Sequence, residues 1–491
     1  MSVDAIVELV YRPFDAATWH PAAAEALKGL WVSGGRYPQR ADKEVKVRSP
    51  KIGDDGVPYG AVIHKQNQDS GPYSGTSFVV FPRDDGPALV GLLVGTDGPG
   101  PDFGLLGQPG HARRCQAVAA WLNERHRRHV AWAKPDPTRW EEDAPRSLVT
   151  EESFGPHSAA FERYGKVMYL LFAPTMDRSL TAQGIAAIVD LLFNARGFVP
   201  LAAYQTEADE IRRGWFDFLL PKVEVEGISR ALQVHRYVIL QGPPGTGKTR
   251  ALGLVANKHF PGRHVVVQFH PNTTYESFVG GLAPVPVDSV GGLAFAPREG
   301  VLLRAIAEAQ AHADRPYLLA IDEVNRADLA KVLGEAIYLL EPQADPARSI
   351  ELEHVYPRIR SASVTMPHNL YLLGTMNTAD RSIAIVDVAV RRRFAFLDMW
   401  PRLDVVDPVV SPLAAESYER LLGLFVDGAR DEAFRLVPGH SYFMGKDEQE
   451  VRARLRDALL PLLEEYLAQG YLSGFASEIR AYIEWLRSCV A

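Results

Sequence analysis

The chain has 491 residues, 47% hydrophobic and 23% charged, with a net charge of −7; this suits two to four ordinary globular domains and excludes a disordered chain or a coiled-coil rod. No run of 18 apolar residues and no basic-then-apolar leader is found, so neither a membrane span nor a secretory signal is expected, and the expected location is cytoplasmic. The two cysteines, Cys115 and Cys489, lie too far apart in sequence to suggest a disulfide scaffold or a zinc site, and residues 1–200 balance 22 Lys and Arg against 23 Asp and Glu, which excludes a generally basic nucleic-acid binder.

Residues 1 to about 200 form the first expected domain, of mixed α+β type. Its short apolar runs TSFVVFP (76–82) and PALVGLLVG (87–95) read as strands, and the spacing in 112–133 and 184–197 predicts helices. From about 205 to 405, strands and helices alternate as in a parallel sheet with crossover helices. The expected strands are 236–241, 264–269, 317–323 and 370–377, each apolar enough for burial on both faces. Function is then expected at their C-terminal ends. Residues 406–491 read as a helical lid, with a short extended piece around SYFM (441–444).

One motif decides the class. Residues 242–249, GPPGTGKT, match GxxxxGK[ST] between a strand and a helix, the context of a phosphate-binding P-loop. Glycines let successive N–H groups turn inward around phosphates, and the helix N-terminus adds positive potential. The expected nucleotide-binding set is Gly242, Pro243, Pro244, Gly245, Thr246, Gly247, Lys248, Thr249 and Arg250. Lys248 reaches the β- and γ-phosphates, and Thr249 ligates Mg²⁺. About seventy residues later an apolar strand ends in Asp322, expected to hold Mg²⁺ with Thr249, and Glu323, expected to polarise the attacking water. A third strand ends at Asn377, a polar sensor of water or γ-phosphate or, alternatively, a helix-capping residue. Arg391, Arg392 and Arg393 close the next predicted helix. There they serve either as dipole-favoured surface charge or as the source of an arginine finger for a neighbouring subunit.

These residues resemble the AAA+ superfamily and, within it, the McrB family, the motor subunits of modification-dependent restriction systems. The carriers are GPPGTGKT (242–249), AIDEVNRAD (320–328) with Asn325 and Arg326, and GTMNTADRSIAIVDVAVRRRFAF (374–396) with Met376, Asn377, Asp380 and Arg381. QFHPNTTYESFVGGLAP (268–284), PGHSYF (438–443) and PLLEEYL (461–467) are also similar to family segments. Val324 and Val390 depart from the commoner isoleucine and leucine without touching the chemistry. The resemblance covers roughly residues 205–485. It implies hydrolysis of GTP or ATP, a catalytic set that includes Asp380, a hexameric ring, and an McrC-like endonuclease as partner. The wider DExNR group also contains MoxR-type ATPases, so remodelling of protein complexes without DNA is the alternative. An inactive nucleotide-binding scaffold is disfavoured because the Walker residues are intact.

The resemblance further implies that residues 1–200 sense DNA, often as a modified base flipped into an aromatic pocket. Two stretches have a suitable composition. Residues 36–51 carry Arg36, Arg40, Lys43, Lys46, Arg48 and Lys51 near Trp31 and Tyr37; residues 111–134 carry Arg113, Arg114, Arg125, Arg127, Arg128 and Lys134 with Trp121 and Trp132. Each stretch also reads as a solvated face over packed core aromatics. Glu44 and Lys46 match half of a nuclease signature, with Asp15 as the only candidate acid, so cleavage is assigned to a second polypeptide.

Overall fold

The computed structural model describes residues 3–32, 34–49, 56–286, 293–341, 348–379 and 388–490. The chain divides into two compact units, Met1–Leu220 with Gly423–Arg430 and Pro221–Leu422 with Asp431–Ala491. The helix Ala202–Phe216 packs with the helices Pro109–His126 and Arg178–Ala195 and so lies in the first unit, beyond the boundary expected near residue 200. Among the described residues, no helix is long and apolar enough to cross a membrane.

The first unit is built on a six-stranded antiparallel sheet of β1 (Val45–Arg48), β2 (Gly60–His64), β3 (Thr76–Phe81), β4 (Leu89–Val94), β5 (Ala131–Ala133) and β6 (Met168–Phe172), in the order β1-β2-β3-β4-β6-β5. The two expected strands are β3 and β4, both buried throughout. The helix expected over 112–133 is shorter than its apolar spacing suggested. It runs Pro109–His126, stops where Arg127 turns left-handed, and gives way to β5. Asn123 explains the stop. Its side-chain oxygen accepts from the N–H groups of Val130 and Ala131, each at 2.8 Å, fixing the turn into the strand. The helix expected over 184–197 runs Arg178–Ala195, with Asp177 as its N-cap, accepting from Leu180 N–H.

Both basic stretches of this unit are largely committed to its own structure. Arg36 is fully buried; its Nε and Nη2 donate to the two oxygens of Asp190 at 2.8 and 2.6 Å, and its Nη1 donates to Glu207 at 2.9 Å. Tyr37 donates to the same Asp190 at 2.5 Å and stacks on Phe193 with ring centres 3.8 Å apart. Burial followed by the Asp190 charge pushes the Tyr37 phenol well above its usual range. Lys134 donates to the carbonyls of Arg139, Glu142 and Lys166. Arg113 donates to the carbonyls of Val426 and Ala429, and Arg114 pairs with Asp427, all inside the same unit. Trp31 and Trp121 are core residues. Arg40, Lys43, Arg125, Arg127 and Arg128 remain exposed, and Lys51 lies outside the described residues. Of the nuclease half-signature, Asp15 caps the helix Ala16–Lys28 and Lys46 pairs with Asp69.

The second unit holds a five-stranded parallel sheet. Its strands are β7 (Tyr237–Gly242), β8 (His264–Gln268), β11 (Tyr317–Asp322), β14 (Leu370–Asn377) and β15 (Ala395–Asp398), in the order β15-β7-β14-β11-β8. Antiparallel pairs β9 (Gly280–Pro286) with β10 (Leu293–Glu299), and β12 (Ser349–Glu351) with β13 (Ser363–Thr365), stand beside it. Alternate residues of the central strands feed two cores, as the period of 2 demands. Tyr237, Ile239, Leu319, Ile321 and Leu372 pack on one face with the helix Val301–Ala311; Val238, Leu240, Leu318, Ala320 and Leu373 pack on the other with the helices Val225–His235 and Lys248–His259. Four strands match the expected runs within a residue or two, but β8, expected like the others to be buried on both faces, is the edge strand and only half-buried, with Val266 exposed. The fifth, β15, was not expected from the sequence: three of its four residues are half-buried, Asp398 is exposed, and one residue separates the strand from the arginine cluster. The residues expected to be a lid are helical, in Glu448–Arg454, Leu460–Ala468 and Ala476–Val490; the helix Pro412–Gly428, expected with them, passes into the first unit from Gly423, and the piece expected to be extended at 441–444 is a 3-10 turn, His440–Phe443.

Replacing Asp190 by alanine takes the bidentate partner from a fully buried guanidinium. A loss of about 3 kcal/mol is expected, read by calorimetry of the whole chain as a fall of roughly 6 °C or more in the melting temperature of the first transition.

Candidate nucleotide-hydrolysis site

The parallel sheet brings its functional residues together at one edge. β7, β14 and β11 are neighbours, so the P-loop after β7, Asn377 at the end of β14 and Asp322 at the end of β11 sit at adjacent strand tips. Gly245 and Gly247 have φ of +81° and +80°, a region that side-chain-bearing residues enter only at a cost. With these two turns the loop curls into the N-terminus of the helix Lys248–His259. Thr246 Oγ1 donates back to the Pro243 carbonyl at 3.0 Å and stiffens the curl. Lys248 is buried, and its Nζ donates to the carbonyls of Gly242 and Pro243 at 2.9 and 2.6 Å and to Asn377 Oδ1 at 3.2 Å. Thr249 and Arg250 are exposed on the first turn of the helix.

Asp322 is also buried. It accepts from Thr249 Oγ1 at 3.0 and 3.3 Å and from Thr375 Oγ1, which in turn accepts from the Glu323 N–H at 3.0 Å. Thr375 was not singled out in the sequence reading. The available signal was its place two residues before Asn377 on the same face of β14. Glu323 adopts φ 57° and ψ 51°, a left-handed conformation that costs about 1–3 kcal/mol for such a residue. Its carboxylate is held by Gln268 Nε2 at 2.9 Å and Arg326 Nε at 2.8 Å, both on Oε2. Asn325 Nδ2 donates to the Asn377 carbonyl at 3.1 Å, joining the two strand tips. Gln268 meets Glu323 because β8 lies beside β11, whereas Arg326 reaches it locally, three residues on in the same turn.

The lid supplies a layer that sequence motifs did not reveal. Gly439 N–H donates to the Pro244 carbonyl at 2.9 Å, and Ser441 N–H donates to the Gly245 carbonyl at 3.0 Å. The two strands of backbone are so close that a Cβ on Gly439 would lie 2.1 Å from the Gly245 carbonyl carbon. His440, between these two donors, is buried beside Gly247 and accepts the Arg402 N–H on Nδ1 at 3.3 Å. Burial, and secondarily the Arg402 charge, push its pKa down to about 4.

The arginine cluster separates by exposure. Arg391 and Arg392 are exposed, with Arg391 lying 5.2 Å over the Phe396 ring. Arg393 is buried and donates to the Ala389 carbonyl at 2.7 Å. Asp380 and Arg381 lie outside the described residues.

Two substitutions test this layout. Glu323→Gln keeps the cradle and removes the carboxylate expected to act as base, so nucleotide binding is expected to be retained while hydrolysis falls by at least about 100-fold, measured by phosphate release alongside titration with a fluorescent nucleotide. Gly439→Ala displaces the P-loop backbone, so nucleotide affinity falls at least tenfold in the same titration although no phosphate-binding residue has changed.

The AAA domain family (dynein-related subfamily) matches residues 237–394. The chain is 29% identical over 381 residues to the type IV methyl-directed restriction enzyme EcoKMcrB subunit of Escherichia coli (strain K12), covering 71% of this chain and 79% of that protein. It is 26% identical over 230 residues to the type II restriction enzyme BsuMI component YdiS of Bacillus subtilis (strain 168), covering 38% of this chain and 65% of that one. The AAA match lies on the P-loop sheet, and the likeness to the McrB subunit reaches well beyond it, so the chain carries an AAA domain and is similar to McrB-type AAA+ nucleoside triphosphatases.

Proposed function

We propose that the chain hydrolyses GTP or ATP as the DNA-sensing motor subunit of a restriction or anti-phage defence complex, working as a homo-oligomer, a hexamer by family likeness, with a separate McrC-like endonuclease. The observation that carries the hydrolytic part is the convergence of Lys248, Thr249, Asp322, Glu323 and Asn377 on adjacent strand tips. The P-loop amides and Lys248 bind the phosphates, Asn377 orients the γ-phosphate or the water, and Glu323 accepts the proton of the attacking water once it leaves Gln268 and Arg326. The Thr249 hydroxyl and the Asp322 carboxylate, 3.0 Å apart, fit Mg²⁺, which takes one or two protein oxygens and completes its shell with phosphates and water. When bound, that ion would neutralise charge developing on the phosphates.

The setting in a restriction complex rests on the McrB and YdiS relatives. DNA sensing is supported by a cavity of about 360 Å³ in the first unit, lined by Tyr59, Tyr73, Phe81 and Tyr164 beside Arg163. Tyr59 and Tyr164 meet edge to face with ring centres 6.1 Å apart, and Phe81 lies 5.4 Å from Tyr164. Such a pocket accepts a flipped base by stacking. Arg391 or Arg392, rather than the buried Arg393, acts as the finger on a neighbour's γ-phosphate.

Steady-state hydrolysis of GTP and ATP, with and without duplex DNA and the partner nuclease, tests the whole reading. Turnover that the partner stimulates is expected; ATP turnover indifferent to both additions favours the MoxR-like alternative. Tyr164→Ala is expected to weaken binding of modified duplex about tenfold in fluorescence anisotropy and to leave DNA-free hydrolysis unchanged. Arg391→Ala or Arg392→Ala lowers turnover about 10³-fold, and mixing that variant with a Lys248→Ala chain restores part of it.

A further inference from the structure

His440 lies in the lid segment against the P-loop turn, its ring beside Gly247 while the side chains of Ser441 and Tyr442 lie beside Gly245. Its neighbours Gly439 and Ser441 hold the outer carbonyls of Pro244 and Gly245 through their N–H groups. The imidazole between them is 9% exposed. Nδ1 accepts the Arg402 N–H, which leaves the ring proton on Nε2, because a nitrogen that accepts cannot also carry the proton. Nε2 is the ring atom nearest Gly247, 3.5 Å from where a Cβ there would sit, and it has no hydrogen-bond partner among the described residues. It lies beside the glycine whose turn starts the helix Lys248–His259, where phosphate oxygens are expected to lie, and so is free to donate to a ligand there.

We propose that His440 is a nucleotide-binding residue of the lid, donating from Nε2–H to the phosphate chain held in the P-loop. The inference rests on the P-loop reading and adds to it the group through which the lid senses an occupied site. Arg402, outside the lid helices, sets the tautomer through its backbone N–H, so the donor is aimed before nucleotide arrives. A neutral donor strengthens binding of the ground state as well as the transition state, so it acts on affinity more than on turnover. Because it touches phosphate and not the base, its effect is the same for GTP and ATP.

The test uses the full chain with His440→Phe, His440→Ala and His440→Gln, each checked for an unchanged melting temperature. Binding is read with fluorescent non-hydrolysable analogues of GTP and ATP, and KM and kcat are measured separately. His440→Phe fills the space without the donor and carries the test if the alanine variant is unstable. The expected result is a loss of about tenfold in affinity for both analogues with Phe and Ala, a matching rise in KM, kcat within about threefold of the parent, and recovery of most of the loss with Gln, whose amide restores an N–H. Parent-like affinity with Phe overturns the proposal, as does failure of Gln to recover binding or a loss confined to one of the two nucleotides. A parent chain that binds and hydrolyses neither nucleotide is a different failure, and removes the hydrolase reading as well.

Discussion

A carboxylate buried at the end of a parallel strand must find hydrogen-bond donors, and for Asp322 the donors come from two other elements. Thr249 reaches it from the helix after the P-loop, and Thr375 reaches it from β14. Three pieces of chain far apart in sequence are tied to one charged group. Because Asp322 is also the residue proposed to hold a metal ion beside a nucleotide, the need to satisfy a buried charge and the need to assemble the proposed site coincide. Thr375 then passes the constraint to Glu323 through that residue's N–H.

The same economy governs the next layer outward. The P-loop must turn its N–H groups inward, which leaves carbonyls facing away from the phosphates. Two of those carbonyls are taken by Gly439 and Ser441 of the lid, so the loop is satisfied on both sides and the lid is coupled to its shape. Glu323, by contrast, is held in a strained backbone conformation with both carboxylate contacts on one oxygen. Strain of this kind persists only where the surroundings over-determine it. Here the surroundings are the neighbouring strand β8, through Gln268, and Arg326 in the following turn.

The first unit shows how far composition alone misleads. Its two basic, aromatic stretches suited a nucleic-acid surface, yet Arg36, Arg48, Lys134, Tyr37, Trp31 and Trp121 are interior or nearly so. Arg36 and Tyr37 share one buried carboxylate 150 residues away in sequence, on a helix whose apolar spacing gives no hint that Asp190 faces inward. The aromatic residues that do surround a cavity, Tyr59, Tyr73, Phe81 and Tyr164, are spread over more than a hundred positions and form no motif. Only the tertiary fold places them together, Phe81 from β3, Tyr59 and Tyr73 from the segments before β2 and β3, and Tyr164 from the helix Ser158–Tyr164.

The sequence by itself determined the class of chemistry and the parallel sheet. Phosphate cradling demands glycines and a lysine within eight consecutive residues, and apolar runs ending in Asp322 or Asn377 report both burial and function. These are local requirements, so they leave local patterns. Tertiary structure decided that β15 completes the sheet, that Thr375 and Gln268 flank the carboxylates of Asp322 and Glu323, that Arg393 is buried while Arg391 and Arg392 are not, and that His440 lies beside Gly247. Each of these depends on which strand lies beside which and on how the lid folds back on the loop. Such pairings join residues tens to hundreds of positions apart, with hydrogen bonds whose partners no spacing in the chain records.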